Sequence, residues 1–328
     1  MKAYSLRIED NQVVLQAVEL PRPEPGPGQV LLKMHAAALN RGEFIPGGLI
    51  KGSASKPAGI EGAGELVALG AGVTGLQLGQ RVMGRCAGAF AEYALMDARE
   101  ALPVPAGMAM EAAAAVPLAF LVVHDMLVTQ GRLQAGQWLL VTGISSGVGV
   151  AALQAAKTMG AKVIGTSGSL DKLARLQGLP QGLGLDIGLH TRLPDFADAV
   201  LKATEGLGVN LVVNTVGGTV FAECLRCMAF EGRLATVGYV DHTLTAQIDL
   251  QALHSKRLTL FGVSNKLRSA EQRASGVPAF VADWLPAFAD GRIQPMVDRV
   301  FDFDNLPAAQ AHMQANQHLG KIVLRISS

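Results

Sequence analysis

The stretch best suited to chemistry is WLLVTGISSGVG, residues 138–149. An apolar strand ends at Thr142, a Gly/Ser turn follows, and a helix begins near Gly147. Small residues there let an anion approach the backbone. The helix start supplies free N–H groups and a positive dipole end. Ser145, Ser146, Gly147 and Val148 are therefore candidates to hold the pyrophosphate of a dinucleotide. The run is not a clean G-x-G-x-x-G. Aligned on Gly149, the first two glycine positions hold Ile144 and Ser146.

The next strand, KVIGT, runs into Ser167, Gly168 and Ser169. An Asp or Glu at the end of this strand would hold a ribose 2′-OH, as in NAD-binding versions. Here the position falls on Ser167, which carries no negative charge, and Lys172 lies five residues on. A hydroxyl and an ammonium suit a 2′-phosphate, so NADPH is expected rather than NADH. Arg192 is a weaker candidate for that phosphate than Lys172, and Arg175 weaker still. The spacing T-G-x-x-x-G-x-G also matches short-chain dehydrogenases. Those place the motif near the N-terminus and need Tyr-x-x-x-Lys. Tyr4, Tyr93 and Tyr239 are followed four residues on by Ile8, Asp97 and Thr243.

These motifs need elements to position them. Up to about residue 120 the chain shows short apolar runs between Gly and Pro. VVLQAVEL, QVLLKMHAAAL, GELVALG and QRVMG read as strands, and residues 47–57 read as a loop. Near Met110 the pattern becomes helical, with Pro117 as a break or kink. Strands and helices then alternate: WLLVT, KVIGT, NLVVNT, RLATVG and RLTLFGV are strands. Val/Leu-rich strands without polar alternation predict a parallel sheet covered on both faces, the doubly wound α/β class. In the tail, ASGVPAFVADWLPAFADG reads as helix and KIVLRI as a closing strand.

Composition sets the remaining bounds. The 328 residues are enough for two lobes. Lys+Arg number 28 against 27 Asp+Glu, so no electrostatic pull toward nucleic acid or an anionic membrane is expected. Three cysteines, Cys86, Cys224 and Cys227, argue against a disulfide framework and for a reducing compartment. No apolar run approaches the roughly 18–20 residues that span a bilayer. The N-terminus lacks the apolar core of a signal peptide. The expectation is a soluble, cytoplasmic protein acting on a small molecule.

Six dispersed stretches carry a resemblance: residues 61–84, 88–96 (GAFAEYALM), 103–120, 212–218 (VVNTVGG), 231–239 (EGRLATVGY) and 318–324 (HLGKIVL). Together they resemble the medium-chain dehydrogenases of the quinone oxidoreductase branch, in order and nearly end to end. The resemblance implies a GroES-like β-barrel catalytic domain over 1–121, completed by 265–328, and a Rossmann NADP-binding domain over 122–264. A cleft would lie between them. It also implies a homodimer, formed by pairing sheet edges near 258–263. Cofactor contacts carried over by position are Asn214, Val216, Gly217, Gly238, Tyr239, Gly262, Val263, Ser264 and Lys321.

The resemblance departs from the alcohol dehydrogenase branch at zinc. Ile60 stands at the His position, no Cys precedes residue 86, and no four-cysteine cluster is present. Cys224 and Cys227 read as two buried thiols on one helix face. Metal is therefore expected to be absent. Activated acceptors follow, quinones or α,β-unsaturated carbonyls, with hydride delivered from the nicotinamide. Asn40 is the candidate to position substrate or ribose, with a structural turn contact as the alternative. Phe44 and Ile45 are candidates to line the substrate pocket, and residues 41–56 to shape its mouth. Glu43 stands where the family usually has Asp. Glu61 reads as a structural ion pair, Val122 replaces a family Thr, and His124 reads as a packed helix residue. Two other functions stay open: a non-catalytic NADPH-binding protein on this fold, and a zinc-type alcohol dehydrogenase.

Overall fold

The computed structural model describes residues 1–10, 12–45, 55–180 and 182–326. The loop expected at 47–57 and the mouth segment 41–56 thus lie mostly outside the described residues. The chain divides into two compact units. Unit 1 comprises residues 1–119, 269–289 and 295–328; unit 2 comprises 120–268 and 290–294.

Unit 1 is a β-structure whose longest strand, Gln29–Ala38, anchors the sheet. It pairs antiparallel with Glu61–Leu69, Tyr93–Asp97 and Lys321–Arg325. Glu61–Leu69 pairs in turn with Arg81–Arg85, and Val297–Asp302 lies parallel to Lys321–Arg325. A second, three-stranded sheet joins Lys2–Glu9 to Gln12–Glu19 and Lys56–Pro57. Leu32, Met34, Leu66, Phe90 and Leu324 fill the core between them. The strand Val297–Asp302 and the helix Leu306–Gln314 go beyond the helix and closing strand read in the tail.

Unit 2 is built from six parallel strands and the helices between them. In chain order these are β1 (Trp138–Thr142), α1 (Gly147–Thr158), β2 (Lys162–Ser167), α2 (Leu170–Gln177), β3 (Ile187–His190), α3 (Ala197–Ala203), β4 (Val209–Asn214), α4 (Phe221–Arg226), β5 (Met228–Thr236), α5 (Leu250–Ser255) and β6 (Thr259–Gly262). The sheet order is β3-β2-β1-β4-β5-β6, so the order reverses beside β1. Ligands bind at the carboxyl ends of strands around such a reversal. Leu139, Leu140 and Val141 are all fully buried, which is why β1 shows no polar alternation. Pro117 marks a break rather than a kink: the helix Met110–Ala114 ends before it, and Pro117–His124 opens on it, where its missing N–H costs nothing. Residues 290–294 return to unit 2 because Gln294 N donates to Gln154 Oε1 at 2.9 Å and Ile293 is buried. Among the described residues no helix is long and apolar enough to cross a membrane.

Candidate active site

The carboxyl edge of the unit 2 sheet gathers most of the residues singled out in the sequence. Ser145 to Val148 follow β1, and Ser167 ends β2. Arg192 follows β3, Asn214 to Gly217 follow β4, Gly238 and Tyr239 follow β5, and Val263 and Ser264 follow β6. An open cavity of about 420 Å³ has Tyr239, Gly262, Val263 and Ser264 in its wall, together with Phe221 and Thr236.

At the β1–α1 turn, Ser146 is the helix cap. Its Oγ accepts from Gly149 N at 3.1 Å and its carbonyl from Val150 N at 2.9 Å. Among the described residues the amides of Gly147 and Val148 have no acceptor in the chain, and both residues are half-buried. Two such donors at the start of a 12-residue helix suit an anion. A side chain on Gly149 would collide with the Ile144 carbonyl at 2.6 Å. Ile144 itself is fully buried and lies on Gly165 of β2, where a Cβ would come within 2.7 Å of it. The fingerprint has therefore exchanged a glycine in the turn for a glycine beneath it.

At the end of β2, Ser167 Oγ accepts from Ser169 N at 3.3 Å, and Ser169 caps α2 by accepting from Lys172 N. Lys172 is half-buried. Arg192 is exposed, and its side chain runs directly across Gly168. A Cβ at Gly168 would fall within 2.7 Å of Arg192 Nε, Cγ and Cδ. Sequence spacing alone ranked Arg192 below Lys172. The structure places it against the Ser-Gly-Ser turn, and the absence of a side chain at Gly168 was the signal for that approach.

The loop after β4 corrects one expectation. Asn214 is fully buried and serves the turn rather than a ligand. Its Oδ1 accepts from Thr142 Oγ1, Val216 N and Gly217 N at 3.0–3.1 Å, and its Nδ2 donates to the Gly217 carbonyl at 2.9 Å. The Val216 carbonyl accepts from Asp241 N. The backbone groups of Val216 and Gly217 are thus consumed within the loop, leaving only surface for contact. Gly217 has φ of 132°, and a Cβ would meet Asp241 Oδ1 at 2.0 Å. Asp241 accepts from Thr219 N, Thr219 Oγ1 and Thr243 N. Burial opposes its charge, but these donors hold its carboxyl below the usual range. Nothing in the sequence pattern announced this latch.

Unit 1 contains a second polar constellation, and it corrects two further expectations. Lys321, expected near a cofactor phosphate, is buried. Its Nζ donates to the Leu39 carbonyl, Asn40 Oδ1 and Glu61 Oε1 at 3.0, 2.8 and 2.7 Å. Its three protons are spent inside unit 1. Asn40 is equally committed, with Nδ2 donating to Glu61 Oε1 at 2.8 Å and to Glu43 Oε1 at 3.3 Å. Of its two alternatives the structure shows the structural one. Phe44, expected in the substrate pocket, belongs to the buried core cluster of unit 1 that also holds Leu39 and Met313. Ile45 is half-buried.

Glu43 completes the constellation. Its Oε1 also accepts from Asn40 N at 3.0 Å, while its Oε2 is buried with no partner. Burial, reinforced by the nearby charge of Glu61, pushes its carboxyl up to about 8 against the pull of Asn40 and Lys321. It is therefore a neutral acid near pH 7.

The chain matches two family descriptions. "Alcohol dehydrogenase GroES-like domain" covers residues 26–106 and "Zinc-binding dehydrogenase" covers 147–276. The chain belongs to the medium-chain dehydrogenase/reductase family. Among solved members, a mycobacterial protein complexed with NADPH is 26% identical, with a TM-score of 0.85 over 99% of this chain and all of that one. The CurK enoyl reductase is 25% identical, also with a TM-score of 0.85, over 99% of each chain. A phenolphthiocerol/phthiocerol polyketide synthase protein of Mycobacterium tuberculosis is 30% identical over 95% of this chain but only 14% of its own length. The highly reducing polyketide synthase ALT1 of Alternaria alternata is 30% identical over 95% of this chain and 12% of its own. The chain thus spans about an eighth of these curated relatives.

The family's metal does not suit the residues present. Among the described residues, no group of three or more His, Cys, Asp or Glu could hold an ion. Glu61 follows Ile60, where the zinc branch has a His. Both of its oxygens are engaged, Oε1 by Lys321 and Asn40 and Oε2 by Leu118 N at 2.7 Å. Cys86 is buried, and burial, with help from the charge of Glu61, drives its thiol far above the ordinary value.

Proposed function

We propose that this chain is an NADPH-dependent reductase that passes hydride to a quinone or an α,β-unsaturated carbonyl and does so without zinc. The observation that carries the reading is the end of β2. Ser167, Gly168 and Ser169 bring no negative charge, the Arg192 side chain lies across Gly168, and Lys172 follows in the first turn of α2. A 2′-phosphate finds cations and hydroxyls there, where an acid would have repelled it. The relatives that include an NADPH complex and an enoyl reductase support the same reading.

Bound NADPH supplies the hydride. The chain's own contribution is positioning. The Gly147 and Val148 amides hold the pyrophosphate, and the Ser167–Arg192 corner holds the 2′-phosphate. The cavity at Tyr239, Gly262, Val263 and Ser264 offers a wall for the ring end. A conjugated acceptor needs no Lewis acid. Hydride adds to the β-carbon, the electron pair moves to the carbonyl oxygen, and a proton from water completes the reduction. Of the acceptors, the enoyl group is the one that the similarity to the CurK enoyl reductase favours. We also propose a homodimer through β6, the last strand of the sheet order, with one unpaired edge.

The test is a titration with NADPH and NADH followed by fluorescence, then turnover with matched quinones, enones and enoyl thioesters. NADPH preference with reduction of any of these upholds the reading. NADPH binding without turnover favours a non-catalytic binding protein. Equal or tighter NADH binding removes the cofactor assignment. Stoichiometric zinc in the purified protein would revive the alcohol dehydrogenase alternative.

A further inference from the structure

The segment between β5 and α5, residues 237–249, is irregular chain that leaves the carboxyl edge of the unit 2 sheet. Most of it is exposed, including Tyr239, Val240, Leu244 and Ile248. A segment that buries so little apolar surface has little to hold it in one place. Yet Tyr239 stands in the wall of the cavity that also borders Gly262, Val263 and Ser264. A wall carried on an exposed segment needs an anchor from elsewhere.

The anchor is the loop after β4. Among the described residues, every hydrogen bond that leaves 237–249, those of Asp249 to α5 aside, ends on residues 214–219. Val237 N donates to the Asn214 carbonyl and Asp241 N to the Val216 carbonyl, each at 3.1 Å. Gly218 N donates to the Thr243 carbonyl at 3.0 Å. Within this described set, Asp241 is the one residue of the segment that reaches across with its side chain. Its Oδ2 accepts from Thr219 N and Thr219 Oγ1 at 2.8 and 2.6 Å, and its Oδ1 accepts from Thr243 N at 2.9 Å. One oxygen ties the segment to the β4 loop while the other shapes the segment itself. The carboxylate lies so close over Gly217 that any Cβ there would overlap it. Tyr239 is two residues from the tie, and its carbonyl accepts from His242 N at 3.0 Å, closing a turn around Asp241.

We propose that Asp241 is a positioning residue: by fixing the turn at 239–243 on the β4 loop, it sets the Tyr239 wall and thereby the resting place of the cofactor's ring end. Asp241 acts through Tyr239 and not by contact with the reacting atoms. The assignment rests on the reductase reading for the identity of that ligand. It divides the cofactor in two. The Gly147 and Val148 amides and the Ser167–Arg192 corner follow β1, β2 and β3 and owe nothing to Asp241, whereas the ring end depends on it. Hydride transfer is sensitive to such placement, since a shift of about 1 Å can cost on the order of 100-fold in rate.

The experiment compares wild type, Asp241→Asn, Thr219→Val and Thr219→Ser. Asparagine offers an acceptor to Thr243 N or to Thr219 N, but not to both. The measurements are the affinities for NADPH and for 2′,5′-ADP, the cofactor fragment without its ring end, and kcat with an acceptor that wild type reduces. Asp241→Asn should weaken NADPH and lower kcat by roughly tenfold each, while 2′,5′-ADP stays within about twofold. Thr219→Val should shift the same ratio by less, and Thr219→Ser, which keeps the hydroxyl, should match wild type. Equal losses for the two ligands, or no loss for either, would overturn the proposal. If Asp241→Asn does not fold, the two Thr219 variants decide, and identical ratios for them overturn it. Wild type that binds both ligands but reduces nothing removes the reductase reading alone, and the ratio of affinities still decides the role of Asp241. Wild type that binds neither ligand overturns both.

Discussion

The Asn40–Lys321 constellation of unit 1 and the carboxyl edge of the unit 2 sheet hold similar polar chemistry and use it in opposite ways. In unit 1, Glu61, Lys321 and Asn40 satisfy one another and are largely out of water. In unit 2, the Gly147 and Val148 amides have no acceptor among the described residues, and the Arg192 side chain lies across Gly168 with no acid in the Ser167–Ser169 turn. A polar group that is already bonded and buried can stabilise a fold but has little left for a ligand. A group held in place with its donors open can bind one. The loop after β4 shows the contrast inside unit 2, since Asn214 consumes the backbone groups its neighbours would otherwise offer.

Removing a partner from the closed constellation should have the largest effect. Glu61→Ala leaves the Lys321 ammonium buried beside a single carboxamide and the Leu39 carbonyl, and it orphans the Leu118 amide. Breaking a buried pair this way costs about 3–5 kcal/mol. Urea unfolding should show that loss, with NADPH affinity of the folded protein little changed. A loss below about 1 kcal/mol would mean the constellation is not what holds this part of unit 1 together.

Glu43 allows a second break, with a sign that can be worked out. Its folded pKa of about 8 lies above the ordinary carboxyl value, so the folded state holds a proton that the unfolded chain releases. Its contribution to stability is full at acid pH and is lost as pH rises from the ordinary carboxyl value toward about 8. Above that the slope vanishes. The whole effect is on the order of a few kcal/mol. Glu43→Gln keeps an acceptor for Asn40 and removes the ionisation. It should be more stable than wild type at pH 8 and lack the decline between pH 5 and 8. Parallel stability curves for the two proteins would place Glu43 among ordinary, ionised carboxylates.

Much of unit 2 was legible because its signals are local. Strands buried on both faces read as unbroken apolar runs, and a capped Gly/Ser turn after such a strand states its own geometry. Unit 1 was less legible because its constellation is assembled from distant stretches. Lys321 and Glu61 are 260 residues apart, and a lysine before a strand looks the same whether it faces solvent or a buried carboxylate. Phe44 was misplaced for a similar reason, since an aromatic near a loop suits a pocket or a core equally. The approach of Arg192 to Gly168 was not legible because it depends on the β2–β3 pairing, which brings Ser167 opposite His190.

The open edge should respond in affinity rather than stability. Arg192→Ala and Lys172→Ala each remove a cation from the corner beside Gly168. A charge-assisted hydrogen bond is worth about 1.5–3 kcal/mol, so each change should weaken NADPH by roughly 10- to 100-fold. NADH, lacking the 2′-phosphate, should bind both variants as it binds wild type. Equal losses for both cofactors would show that these side chains act on the shared part of the dinucleotide.

Ser146 gives the smallest and most discriminating test, because it belongs to both sides of the comparison. Its Oγ is already committed to Gly149 N, yet it sits beside the two open amides. Ser146→Ala should cost about 1 kcal/mol through the lost cap, whereas Ser146→Gly should cost only a few tenths. The pair therefore separates capping from binding. If the hydroxyl only caps the helix, Ser146→Gly keeps nearly normal stability and nearly normal NADPH affinity. If it also donates its proton to the pyrophosphate while accepting from Gly149, Ser146→Gly keeps stability but loses affinity as Ser146→Ala does. The first outcome assigns the cradle to backbone amides alone, and the second adds a side chain whose one oxygen serves the fold and the ligand at once.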